Sequence, residues 1–245
     1  MTKKRCSILG YEVDLLSFMD SVNFVASKIN NNEGLHIITI NPEIIAIADQ
    51  NKELADIINQ SELVLPESSG IKSALKFRGI KQEQIPGIDF ARELLKYCEI
   101  NKYPVALVGA KKDIIEKAIE NLQKEMPSLN IVYAHDGYYE DENTILEELI
   151  LKKPKVILCA LGAPKQELFI DKCRNKYENA IYIGVGGSFD VWAGAVQRAP
   201  EIFQKLGLEW AYRTIKQPSR IKRIYKTLPV FLFRAIIESI KVNKK

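Results

Sequence analysis

The chain has little with which to cross a membrane or staple itself together. Its four cysteines, Cys6, Cys98, Cys159 and Cys173, form no CxxC pair. Three of them sit in apolar, strand-like or helical contexts, which predicts reduced, buried thiols rather than a disulfide framework. The opening MTKKRCSILGYEVDLL lacks the continuous apolar stretch and small-residue cleavage site of a secretory leader, so the expectation is a protein that stays in the cytoplasm. The most apolar stretch near the C-terminus, 230–233, is interrupted by Arg234, far short of the roughly 20 residues a spanning helix needs. There is also no internal repeat and no low-complexity linker.

What is present is ordinary in bulk and uneven in charge. A chain of 245 residues with 47% apolar and 27% charged side chains buries one substantial core and is not disordered. The net charge of +4 hides an asymmetry, because 205–245 holds eleven Lys/Arg against two Glu, or +9, and leaves 1–204 at −5.

Along the body, helical and strand patterns alternate. Ser17 predicts a helix N-cap, with Asp20 three residues on and Phe18, Val22, Val25, Ala26 and Ile29 at helical spacing. The Asn-rich run 30–34 stops it; 35–40 follows as a β-branched strand, and Asn41-Pro42 opens the next helix with proline at a first-turn position. Short strands are expected at 63–65, 104–109, 130–134, 155–161 and 180–185, with helices near 88–99, 111–125, 143–152 and 165–176. This predicts an α/β fold: a Rossmann-like, mostly parallel sheet with helices on both faces. Beyond Pro200 the strands cease, so the expected division is an α/β catalytic domain over 1–197 and a basic, amphipathic helical appendage over 198–245.

Two strand ends carry the chemistry. At 181–194, IYIGVGGSFDVWAG, an apolar strand breaks into Gly184, Gly186 and Gly187; at 155–167, KVILCALGAPKQE, another ends in Gly162, Pro164, Lys165, Gln166 and Glu167. Glycines let backbone approach a ligand and aim N–H groups at it. Two adjacent parallel strands ending in such loops face one crevice, the usual ligand position in an open α/β sheet.

In the tail, Leu228, Phe231, Leu232, Ile236, Ile237 and Ile240 are set among Arg213, Lys216, Arg220, Lys222, Arg223, Lys226, Arg234 and Lys241. That pattern fits a helix lying in an anionic membrane surface. It also fits a core-packing helix with a solvated face, a homo-oligomer arm or a nucleic-acid contact.

The ordered motifs resemble a known family. Thr39, Asn41, Pro42 and Glu43 (T-x-N-P-E), the turn 65–70, GAPKQE at 162–167, the run 184–194 and R-A-P…G-L-E-W-x-Y-R over 198–213 are similar to the WecG/TagA/CpsF glycosyltransferases. The resemblance implies an inverting transferase that moves N-acetylmannosamine, or its uronic acid, from a UDP donor onto polyprenyl-diphosphate-linked N-acetylglucosamine in the synthesis of teichoic acid or related cell-wall polysaccharide. It implies a peripheral protein on the inner face of the cell membrane, held there by its basic tail. It also implies action without a divalent metal or other cofactor, in keeping with the lack of a D-x-D triad.

On the same resemblance, the catalytic group is Glu67 with Thr39 and Asn41. Members of the family place Asp as base after the L-P of the short strand; here Glu67 adds one methylene, about 1.5 Å of reach. Two departures accompany it: Glu67-Ser68-Ser69-Gly70 stands where members tend to have D-G-x-G, and Gln84 stands where they place Arg. An acid at a helix start is the alternative reading of Glu67, and a helix N-cap that of Asn41.

Gln166 is expected to meet a sugar hydroxyl or acetamido group. Gly186, Gly187 and Ser188 are expected to bind uracil, ribose or phosphate through backbone N–H groups, and Asp190 to take a ribose hydroxyl or cap the following helix. Arg198 and Arg213 are candidates for diphosphate recognition. His135 and Asp136, adjacent on a strand, point to opposite faces and are expected to be structural. A nucleotide-binding regulatory protein without chemistry is the competing reading. Nucleic acid is not an expected partner, because the chain lacks an aromatic-basic platform.

Overall fold

The computed structural model describes residues 3–205, 207–216 and 221–242, and only the backbone at 205, 213, 214, 216 and 221–225. It opens with an antiparallel hairpin of β1 (Arg5–Ile8) and β2 (Tyr11–Asp14). The two turn residues, Leu9 and Gly10, both have positive φ, 53° and 90°, as a type I′ turn requires. Nothing in the alternating pattern points to this hairpin, since Leu-Gly lacks the usual Asn-Gly signal.

The body then follows as α1 (Phe18–Asn30), β3 (Leu35–Ile40), α2 (Pro42–Ala48), α3 (Lys52–Gln60), β4 (Leu63–Pro66), α4 (Ser69–Phe77) and α5 (Gly87–Ile100). Next come β5 (Val105–Gly109), α6 (Lys112–Glu125), β6 (Ile131–His135), α7 (Glu142–Lys152), β7 (Val156–Ala160), α8 (Lys165–Arg174), β8 (Ile181–Gly184) and the single-turn α9 (Ser188–Trp192). The C-terminal elements are α10 (Glu201–Lys205), α11 (Glu209–Lys216) and α12 (Ile221–Val242). Helix α1 is capped as expected, with Ser17 Oγ accepting from the Asp20 amide at 3.1 Å. Helices α3 and α4 lie outside the elements that sequence periodicity marks; each is capped by its own polar residue, Asn51 and Ser68.

Six strands pair in parallel in the order β4-β3-β8-β7-β5-β6. Strand periodicity divides the core. Leu35, Ile37, Leu65, Leu107, Leu158 and Ile183 face α1, α5 and α6, while Ile38, Ile40 and Val64 face α2, α3 and α4. Ala106, Ile157, Cys159 and Tyr182 pack under α7 and α8. All four cysteines are free and buried.

Helix α12 lies across α2 and α4 and gives Phe231 and Ala235 to the core. Ser239 Oγ donates to the Phe77 carbonyl at 2.7 Å, and Arg234 pairs with Asp49. The apolar residues expected to form one membrane-facing stripe are therefore split. Phe231 is buried, Leu232 packs against the same cluster, and Leu228 enters the cleft described below. Ile236, Ile237 and Ile240 stay exposed, joined by Val230, Phe233 and Val242. A stripe drawn on helical spacing alone cannot tell which side another element covers.

Candidate active site

A cleft of about 570 Å³ opens at the C-terminal ends of β3, β4 and β8, beside the loop that follows β7. It holds Thr39, Asn41, Glu67, Gln166, Gly186, Gly187, Ser188 and Asp190 together. Neighbouring strands β7 and β8 do bring the two glycine junctions to one crevice, with Cys159 opposite Gly184.

Parallel register assembles its centre. Thr39 is opposite Leu65 and Ile40 opposite Pro66, so the next residues, Asn41 and Glu67, leave the sheet side by side. The Glu67 amide donates to the Ile40 carbonyl at 3.1 Å and carries the ladder one step further. Asn41 then serves two elements at once. Its Oδ1 accepts from the Glu43 and Ile44 amides at 3.0 Å each, capping α2, and its Nδ2 donates to Glu67 Oε2 at 2.7 Å.

Glu67 stands one residue before Ser68, the N-cap of α4, and so outside that helix's first turn. Its other oxygen lies 3.3 Å from where a Cβ on Gly87 would sit, which is room that glycine leaves to the carboxylate. Thr39 Oγ1 reaches the Gly184 carbonyl at 3.4 Å, a weak bond.

Gln166 is 6% exposed and packs against Gly184. A Cβ there would come within 2.3 Å of Gln166 Nε2, so glycine is needed for close approach. The Gly186 amide donates to Gln166 Oε1 at 3.1 Å, while Gln166 Nε2 donates to Glu167 Oε1 at 2.8 Å. Gly186 itself has φ +48°, a conformation suited to glycine.

The remaining expectations divide. Ser188 lines the cleft, yet its amide and its hydroxyl both donate to the Val185 carbonyl, at 3.1 and 2.7 Å; they brace the loop. Asp190 lies in α9, whose N-cap is Gly187. Arg198 does not line the cleft. It pairs through both terminal nitrogens with Asp89 in the first turn of α5, tying the segment after α9 to the wall that holds Gly87. Arg213 falls in α11, and its side chain lies outside the described residues. His135 turns Nδ1 to the Asp136 carbonyl at 2.7 Å, away from any acid–base pairing with that residue's side chain.

Other residues that line the cleft were not assigned a place in it from the sequence. Gln84, Pro86, Gly87 and Ile88 form one wall; Gly207, Trp210, Thr227 and Leu228 reach it from the C-terminal helices. Glu167, 3% exposed, sits on the floor. Burial raises its carboxyl above the ordinary range; hydrogen bonds from the Gln166 amide and the backbone oppose this, and the negative charge of Glu67 adds to it.

The sequence pattern of the Glycosyl transferase WecG/TagA/CpsF family matches residues 6–245. The chain belongs to that family. It is 34% identical over 246 residues to the N-acetylglucosaminyldiphosphoundecaprenol N-acetyl-beta-D-mannosaminyltransferase of Staphylococcus aureus strain MW2, an alignment covering 98% of this chain and 95% of the relative. The proteins of the same name from strains NCTC 8325 / PS 47 and COL match equally. As a member of this family the protein is a glycosyltransferase, and the cleft is where Glu67, Glu167, the glycine loop and the Gln166 amide converge.

Proposed function

We propose that this protein transfers an N-acetylmannosaminyl group from UDP-N-acetylmannosamine to N-acetylglucosaminyl-diphosphoundecaprenol, with inversion, in the assembly of a cell-wall polysaccharide. The observation that carries the reading is the Glu67 carboxylate, held at 2.7 Å by Asn41 in the mouth formed by β3, β4 and β8. A hydroxyl oxygen of the acceptor attacks the anomeric carbon while Glu67 takes the hydroxyl proton. The bond from that carbon to the β-phosphate oxygen breaks, and UDP leaves with the electron pair. Asn41 steadies the base, and Gln166 orients the sugar through the amide edge that Gly186 and Glu167 leave to the cleft. The Gly186 amide being taken by Gln166, the Gly187 backbone faces the diphosphate, Asp190 takes a ribose hydroxyl, and Arg213 adds positive charge to the leaving group. Arg198, engaged with Asp89, holds the wall rather than the ligand.

We place the protein on the cytoplasmic face of the cell membrane. Among the described residues no helix is long and apolar enough to cross a membrane. Helix α12 shows Val230, Phe233, Ile236, Ile237 and Ile240 outward, with exposed Lys226 in its second turn and Lys241 in its last, while Thr227 and Leu228 of the same helix line the cleft. One helix thus joins an apolar outer face to the active-site mouth, which suits an acceptor whose lipid stays in the bilayer.

The test is UDP release from UDP-N-acetylmannosamine with a prenyl-diphosphate-N-acetylglucosamine acceptor in the presence of EDTA. Wild type turns over, and Glu67→Gln loses about 10²- to 10⁴-fold in kcat, the usual contribution of a general base, with unchanged thermal stability. Wild type that binds UDP but never turns over would sink the reading in favour of a regulatory binding protein.

A further inference from the structure

Glu167 follows Gln166 directly in the first turn of α8 and lines the cleft beside it. Its Oε1 accepts from Gln166 Nε2 at 2.8 Å, and its Oε2 is buried with no hydrogen-bond partner among the described residues. An amide side chain has two ends of similar shape and opposite polarity, so its direction is decided by what each end meets. Here the Gly186 N–H meets the oxygen end and the Glu167 oxygen meets the nitrogen end. A half-turn of the amide would set two donors against each other at Gly186.

We propose that Glu167 is a positioning residue, which holds the Gln166 amide in a single direction across the β7–β8 junction so that one N–H of its NH₂ group always faces the transferred sugar. The contact ties the loop after β7 to the loop after β8, and Gly184 beneath it, lacking a Cβ, leaves the amide the space it occupies. Burial raises the Glu167 carboxyl, and the charge of Glu67 pushes the same way; an uncharged carboxyl still offers its carbonyl oxygen to Gln166. The proposal rests on the glycosyl-transfer reading above.

Its test compares Glu167→Gln with Glu167→Met by donor binding and by steady-state kinetics, using UDP-N-acetylmannosamine and thermal melting of each variant. Gln keeps an acceptor at the same place, so the donor KM stays within about twofold of wild type. Met has the length and no acceptor, and its donor KM rises about tenfold, the effect of one lost hydrogen bond, while its melting temperature does not fall in step. The added change Gln166→Ala makes the Met substitution silent, because both act through one group. Should Glu167→Met not fold, Glu167→Asp, which withdraws the acceptor by one methylene, shows the same rise. Wild-type KM in the Met or Asp variant, or additive effects with Gln166→Ala, would overturn the assignment. Wild-type turnover in the same assay separates that outcome from a failure of the transferase reading itself.

Discussion

Asn41 Nδ2 lies 2.7 Å from Glu67 Oε2 while Asn41 Oδ1 caps α2, so one side chain stabilises a helix and aims a carboxylate. The two roles separate by substitution. Asn41→Ala loses both: about 1 kcal/mol of stability for the cap, and a large fraction of kcat. Asn41→Asp keeps the cap, but sets a like charge beside Glu67, which raises the pKa of the pair. Its stability is expected to fall below wild type at neutral pH and to recover as pH drops and the pair takes up a proton, while kcat falls and the rising limb of the pH–rate profile moves to higher pH. Thermal melts with pH–rate profiles of both variants measure the split.

A side chain at Gly184 meets Gln166. A Cβ there would sit 2.3 Å from Gln166 Nε2, so Gly184→Ala displaces the amide and breaks its bond to Gly186. Since a misplacement of about 1 Å costs up to about a hundredfold, kcat/KM for the donor is expected to drop roughly ten- to a hundredfold. Unchanged kinetics in a folded Gly184→Ala protein would remove Gln166 from sugar recognition.

The two sides of α12 predict opposite phenotypes. Phe231, 3% exposed, packs into the core, and Phe231→Ala is expected to cost about 3–5 kcal/mol in chemical denaturation. Phe233, 65% exposed, is expected to tolerate Asp with little change in stability. Phe233→Asp combined with Ile237→Asp abolishes flotation with anionic vesicles. Retained flotation of the double variant would move the membrane contact elsewhere.

His36 makes stability depend on acid. It is fully buried in β3, and neither ring nitrogen has a partner among the described residues. Burial, with the nearby Arg174 charge, lowers it to about 3 from its ordinary 6.5. The unfolded chain takes up a proton below about pH 6.5 that the native protein refuses. Stability therefore falls as pH drops from 6.5 toward 3, by about 1.4 kcal/mol per pH unit from this group. His36→Leu removes that one-proton slope, and urea denaturation from pH 7 to pH 4 with both proteins isolates it as a difference.

Much of the fold was legible in the chain because its signals are local. The strand Leu35–Ile40 coincides with its β-branched run, and α2 begins where Asn41-Pro42 says it should. The hairpin of β1 and β2 was not legible, since its strands are four residues each and its Leu9-Gly10 turn carries only half of the usual signature. Within the site, Glu67, Asn41 and Gln166 stand out by motif, whereas Ser188 reads as a ligand group in sequence and in three dimensions donates to Val185 instead. Arg198 likewise looks like a phosphate ligand until Asp89, more than a hundred residues away in the chain, is seen beside it.

The sequence by itself determined the alternation of elements, the two glycine junctions and the motif set that marks the family, because each of these depends on residues near one another in the chain. Only the tertiary structure decided which carboxylate meets which amide, which side of α12 is covered, and that Leu228 and Thr227 close the cleft. Those outcomes follow from strand register and from the packing of a C-terminal helix over α2 and α4, and neither is encoded in the spacing of any single segment.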